Sequence, residues 1–162
     1  MAETRWLTDE EQEAWRAFMW MSQLLHESLD RQLERDAGMP HAYYLILAML
    51  SEAPERSMTM SALARMVRFS ASRLSHATAR LEAKGWVRRV KQSADGRTTT
   101  AELTDEGFAA LADAAPGHVH EVRRVLFDPI APEQMRQLRT ICTAALGVLA
   151  PAADYDPSTE DC

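Results

Sequence analysis

The stretch TMSALARMVRFSASRLSHATARLEAKGWVRRVKQSADGRTTTAEL, Thr59 to Leu103, decides the fold. Thr59 reads as the N-cap of a short helix whose Leu63, Met66 and Val67 face inward. After Arg68-Phe69 a second cap, Ser70, opens a helix that runs to Lys84 and stops at Gly85. In this second helix Leu74, Ala77 or Thr78, and Leu81 form the buried stripe, which leaves Ser72, Arg73, Ser75, His76, Ala79 and Arg80 on the outer faces. Trp86 to Lys91 carries β-favouring apolar positions, Ala94-Asp95-Gly96 is a turn, and Thr98 to Leu103 returns as the second limb of a hairpin. Two short helices around a tight turn, followed by a basic hairpin, form a winged helix-turn-helix. Short and hydrogen-bonding side chains at the leading end of the second helix suit the major groove of duplex DNA, where Arg can reach guanine O6 and N7.

The charge pattern points the same way. Half of the 18 Lys and Arg residues of this chain lie between Ser57 and Thr100: Arg65, Arg68, Arg73, Arg80, Lys84, Arg88, Arg89, Lys91 and Arg97. Only Glu82 and Asp95 oppose them, so the stretch is strongly cationic inside a chain of net charge −6. Such a split marks one face for a polyanion. The limbs of the hairpin place Arg88, Arg89, Lys91 and Arg97 for phosphate contact, with Arg97 set to enter a narrow minor groove. Asp95 can orient Arg97 and also begin the turn, two compatible roles.

Outward from this lobe the chain is helical. Thr8-Asp9-Glu10-Glu11 is a capping box, and Trp15, Phe18, Ser22, Leu25, Leu29 and Leu33 then recur at steps of three and four until Gly38. At 1.5 Å per residue this helix is roughly 45 Å long, more than one small lobe requires. The surplus, with Trp6, Trp20 and Met21 spread around it, points to a partner subunit, although each aromatic fits an intramolecular core as well. Pro40 leads a second helix through Tyr43, Tyr44, Leu47 and Leu50, closed by the loop Glu52 to Arg56. Thr104 caps a fifth helix with an expected kink at Pro116-Gly117, and a break at Asp128 to Pro132 precedes a last helix with Met135, Leu138, Ile141, Cys142, Ala145 and Leu149 on one stripe.

The fold class is therefore mainly α with a small β-hairpin wing, a winged helix-turn-helix lobe (40–104) joined to a helical dimerisation core (8–38 and 105–149). The tail, 150–162, is rich in Pro, Asp and Ser and is expected to be disordered. No apolar run approaches the roughly 20 residues that span a bilayer, and the N-terminus lacks the layout of a secretory signal, so no membrane partner and a cytoplasmic location are expected. Cys142 in a helical stripe and Cys162 at the last position give little support for a disulfide. No phosphate loop, nucleophile elbow or metal triad is legible, so neither an enzyme nor a cofactor is expected. His118-x-His120 splays its rings on a helix, and no metal site is expected there.

Asp95-Gly96-Arg97 followed by Leu103-Thr104-Asp105-Glu106-Gly107 resembles the D-x-R…L-T-x-x-G signature of MarR-family transcriptional regulators. The likeness extends over helix order and nearly the whole chain before the tail. It implies a homodimer whose first and last two helices interlock and carry two winged lobes onto a pseudo-palindromic double-stranded DNA site. Ser72, Arg73, Ser75, His76 and Arg80 match recognition-helix contact positions, Arg97 matches the wing arginine, and Ser70 and Thr98 match phosphate contacts, beside Arg88, Lys91 and Asp95 of the wing. It further implies a repressor released by a small phenolic or other anionic effector, held in a crevice to which Trp15, His26, His41, Tyr43, Tyr44 and Met66 contribute. Peroxide-sensing members carry a Cys near the start of the first long helix, which is absent here, and the urate-responding branch carries an acidic residue where this chain has Tyr44. A winged-helix module that binds an acidic protein instead of DNA is the alternative that sequence leaves open.

Overall fold

The first helix, α1 (Asp9–Ala37), starts on a complete capping box: Thr8 Oγ1 accepts from the Glu11 amide at 3.2 Å while the Glu11 carboxylate accepts from the Thr8 amide at 2.8 Å. Asp9, Glu10 and Glu11 place negative charge at the positive end of the helix dipole. At its far end Gly38 adopts φ 57° and closes the last turn through bonds to Glu34 and Leu33. A computed structural model describes residues 3–91 and 98–150 of the chain. Within it only the last third of α1 packs: Leu29, Gln32 and Leu33 are buried, whereas Trp15 and Phe18 are about half exposed. The apolar stripe of α1 therefore serves two surfaces, and the chain itself covers one of them.

The lobe core gathers where α2 (His41–Glu52), α3 (Met60–Met66) and α4 (Ala71–Ala83) converge on a small sheet. Leu33, Met39, Ile46, Leu47, Leu50, Leu63, Leu74 and Leu81 are fully buried there. Both Ala77 and Thr78 face inward on α4. Met66 does not; it stands on the outer side of α3 at 45 % exposure, because Leu63 and Val67 already fill the inward positions.

The sheet has three antiparallel strands in the order β1-β3-β2, where the sequence shows only a hairpin. β2 (Val87–Lys91) and β3 (Thr99–Leu103) pair from Val87↔Leu103 to Lys91↔Thr99, and β1 (Ser57–Thr59) adds to the other side of β3. The turn assigned to Ala94-Asp95-Gly96, with Arg97, lies outside the described residues.

At the base of the hairpin Thr104 caps α5 (Asp105–Val122), its Oγ1 accepting from the Gly107 amide at 3.0 Å and donating to the Gly85 carbonyl at 2.7 Å. The Thr104 amide donates to the Trp86 carbonyl, and a Cβ on Gly107 would stand 2.1 Å from that same oxygen. The α-helix runs on through Pro116-Gly117, where a kink was expected, and the irregularity falls instead on a π-helical turn at Arg123–Phe127. A side chain at Gly117 would press on Gln32, so glycine allows α5 to lie close on α1. That seam is polar: Ser28 donates to Glu121 at 2.5 Å and Arg124 at 2.6 Å, and these partners hold the Glu121 carboxyl down to about 2.

The last helix, α6 (Pro132–Leu149), buries no residue against the rest of the chain, and Ile141, Val148 and Leu149 are largely exposed. Cys142 on it is a free, exposed thiol. The remainder of the tail, 151–162, lies outside the described residues.

Since any side chain at position 107 collides with backbone, Gly107→Ala is expected to lower unfolding stability by about 3 kcal/mol, the upper end of the usual overpacking cost. A denaturant titration with an unchanged midpoint would remove this contact from the account of the fold.

Candidate DNA-binding face and effector crevice

Ser70 fixes the start of α4 by accepting from the Arg73 amide at 3.2 Å. Burial of Leu74, Ala77, Thr78 and Leu81 then rotates Ser72, Arg73, Ser75, His76, Ala79 and Arg80 onto one exposed face. Beside it lies a polar cleft of about 560 Å³ between the start of α4 and the hairpin, walled by Ser61, Ser75, Arg89, Thr98 and Thr99. Hydroxyls and a guanidinium in one groove suit a phosphodiester backbone. Ser70 and Thr98 are exposed at the margins of this region, and Lys91 ends β2 in solvent.

The two wing arginines part company. Strand alternation sends Arg88 to the opposite sheet face from the cleft, where Glu102, directly across the ladder, accepts at 2.6 Å. Arg89 lines the cleft. It bonds Glu82 of α4 at 2.9 and 2.6 Å, and the guanidinium holds the Glu82 carboxyl below the usual range. The signal that separates them is the buried Val87, whose face Arg89 shares at a spacing of two. Asp95 and Arg97 lie outside the described residues.

Arg73 is placed differently. Its guanidinium centre sits 3.9 Å from the centroid of the Phe69 ring, and among the described residues no carboxylate pairs with it. The ring attracts the ion through its π face without neutralising it, so the guanidinium N–H groups keep their donor capacity. Arg80 likewise has no ion-pair partner among the described residues.

Behind Arg73 a crevice of about 470 Å³ opens between the middle of α1, the start of α2 and the turn into α4. His26, Glu27 and Asp30 form one wall, His41 and Leu45 a second, and Phe69 with Arg73 a third. His26 Nδ1 lies 2.7 Å from the Ser22 carbonyl, which requires that this nitrogen carry the proton. His41 stacks on His118 at 5.6 Å, and Tyr44 meets His118 at 4.2 Å. Burial, then the neighbouring imidazoles, push His41 down to about 4, and burial lowers His118 too, so both are neutral at neutral pH. Burial also raises the Tyr44 phenol.

Of the six residues expected around an effector, His26 and His41 line this crevice. Tyr44 stands behind it through His118, while Tyr43 packs half-buried against the lobe core. Met66 lies in a separate apolar groove with Met49, Pro54 and Met58, on the far side of α3. Trp15 is three helical turns up α1 and stacks on Phe18, too far along the helix to reach the crevice. Glu27, Asp30 and Phe69 went unread; Asp30 shares a helix face with His26 at a spacing of four, the available signal.

A model of the MarR family matches residues 37–98. The crystal structure of Sco3205, a MarR family transcriptional regulator from Streptomyces coelicolor in complex with DNA, superposes with a TM-score of 0.87 at 49 % identity, covering 93 % of this chain and 94 % of that one. The chain belongs to the MarR family. AbsC, a MarR family regulator from the same organism, is 38 % identical with a TM-score of 0.84, covering 92 % of this chain and 100 % of its own. The HTH-type transcriptional regulator PecS of Dickeya dadantii is 26 % identical over 121 residues, which are 75 % of this chain and 72 % of PecS.

In this MarR-family transcriptional regulator the Leu103-Thr104-x-x-Gly107 motif is a physical joint, in which the cap hydroxyl and the absent side chain clamp the wing base to α5. The family consists of regulators, which are not enzymes. Among the described residues no helix is long and apolar enough to cross a membrane.

The neutral histidine stack gives the protein a defined acid response. In the unfolded chain both imidazoles protonate below about 6.5, whereas folded His41 stays neutral to about 4, so stability is full above 6.5 and drains away as pH falls towards 4. The Glu121 contribution persists until pH drops below 4.5 and is lost towards about 2. His41→Phe is expected to flatten the melting temperature between pH 6.5 and 4.5; a slope as steep as in the parent protein would show that the histidine stack does not set it.

Proposed function

We propose that this MarR-family regulator grips operator DNA as a homodimer, lays the outer face of α4 in the major groove, and acts in the cytoplasm as a repressor released by a small molecule in the crevice. One observation carries the reading. Among the described residues Arg56, Arg88, Arg89, Arg123, Arg124 and Arg136 each pair with a carboxylate, whereas Arg73 and Arg80 on the outer face of α4 do not. Unpaired guanidinium groups beside Ser72, Ser75 and His76 are what base edges and phosphates require. The DNA-bound relative favours DNA over an acidic protein as the polyanion.

Residues 40–104 then form the DNA lobe, and 8–38 with 105–149 the dimerisation region. The apolar faces that α1 and α6 leave uncovered supply the surface for two subunits to interlock. Ser70, Thr98, Arg89 and Lys91 serve phosphates, and Arg97 with Asp95 serves the minor groove.

Affinity for a duplex taken from upstream of the gene should fall linearly in log–log form as salt rises from about 50 to 200 mM. A flat line would rule out phosphate-dominated binding. Arg73→Ala and Arg80→Ala are each expected to cost about 1–3 kcal/mol on the specific site, and Arg97→Ala to weaken binding at every salt. Ile141→Asp is expected to leave the winged lobe folded, give a monomer by sedimentation and abolish operator binding; a dimer that still binds would place the subunit contact elsewhere.

A further inference from the structure

The crevice carries charge of both signs at opposite walls. On the α1 side Glu27 engages Gln23 through Oε1, and Asp30 accepts the His41 amide through Oδ1, which leaves each carboxylate a second oxygen without a partner among the described residues. On the α4 side the Arg73 guanidinium sits over the Phe69 ring and has no carboxylate partner among the described residues. Leu45, Val67 and the neutral His41 ring line the space between. Two carboxylates against one guanidinium repel a simple anion at the α1 end, and a simple cation leaves the strongest donor unused. A flat molecule with a carboxylate at one end and an ammonium at the other satisfies both walls and the apolar middle.

Arg73 also belongs to the outer face of α4. Its fork cannot close on a ligand carboxylate and on DNA at once. We propose that the crevice binds an amphoteric aromatic small molecule, its carboxylate on Arg73 and its ammonium at Glu27 and Asp30, and that binding withdraws Arg73 from DNA. This rests on the reading of the chain as an operator-binding regulator and adds to it the class of effector and a direct competition for one side chain.

The probes are 4-(aminomethyl)benzoate, benzoate and benzylamine, titrated calorimetrically into the full chain, with DNA release followed by anisotropy. The amphoteric probe should bind about tenfold or more tighter than either fragment, as expected for one added charge-assisted contact, and alone should release DNA efficiently. Bound DNA should weaken the probe by the factor by which the probe weakens DNA. Arg73→Ala should erase its advantage over benzylamine, Arg73→Lys should keep part of it, and Glu27→Gln should reduce its advantage over benzoate. Both positions are exposed, and an unchanged melting temperature confirms that each variant folds.

Equal binding of benzoate and the amphoteric probe, failure of all three to bind, or undiminished release from Arg73→Ala would each overturn the inference. Salt-dependent operator binding measured without any probe tests the DNA reading separately: if it is present while the probes fail, only the effector assignment falls.

Discussion

The carbonyl oxygen of Trp86 occupies the space where a side chain at Gly107 would stand. That contact, with the Thr104 hydroxyl bridging the Gly85 carbonyl and the Gly107 amide, welds the end of α4, the base of the hairpin and the start of α5 into one body. The direction of β2 and β3 relative to α4 follows from it, and so does the cleft between them. A recognition helix and a wing must meet one duplex together, and a loose joint would let each sample its own orientation at an entropic cost on binding. The motif is thus a device for preorganisation, and its residues need not touch DNA.

Ion pairing divides the arginines into two populations. Two of those with a carboxylate partner brace elements against each other, Arg88 crossing the ladder to Glu102 and Arg89 tying β2 to α4, whereas Arg124 closes a local pair with Glu121 one turn before it. Arg73 and Arg80, on the outer face of α4, have no such partner among the described residues. The net charge of the lobe therefore overstates its attraction for phosphate, since part of that charge is consumed internally. Arg73 shows a further economy of design, because the Phe69 ring holds its guanidinium without neutralising it.

Local rules read well from the sequence. Thr8, Thr59, Ser70 and Thr104 each make the expected cap bond, because a cap is settled within three residues. The helical periods of α4 placed its outer face correctly for the same reason. Features set by distant partners were not legible. β1 is three residues long and exists because β3 offers it a ladder. Met66 obeys the helical period of α3, but Leu63 and Val67 win the inward sites. Trp15 and Phe18 continue the stripe of Leu29 and Leu33, yet the chain ends its own packing at Leu29, so periodicity identified an apolar face without saying whose surface covers it. The crevice was half read: imidazoles are conspicuous in a sequence, whereas the carboxylates of Glu27 and Asp30 look like any solvated helix face until α2 and α4 are folded against them.

The short β1 strand is approached through strained backbone. Glu55 and Arg56 both take left-handed backbone angles before it, φ 54° and 52°, at about 1 kcal/mol each for residues other than glycine. Arg56 offsets this by bonding Asp105 at 3.2 Å and lying 4.0 Å over Phe108, which straps the strand to the start of α5. The outer margin of the sheet is thereby only three residues wide and bent away from extended geometry on its approach. The opposite margin bears Arg88, Arg89 and Lys91. Among the described residues neither offers a long, flat, uncharged template to a stray strand, so a protein that exposes long apolar helices keeps its β-structure closed to runaway self-association.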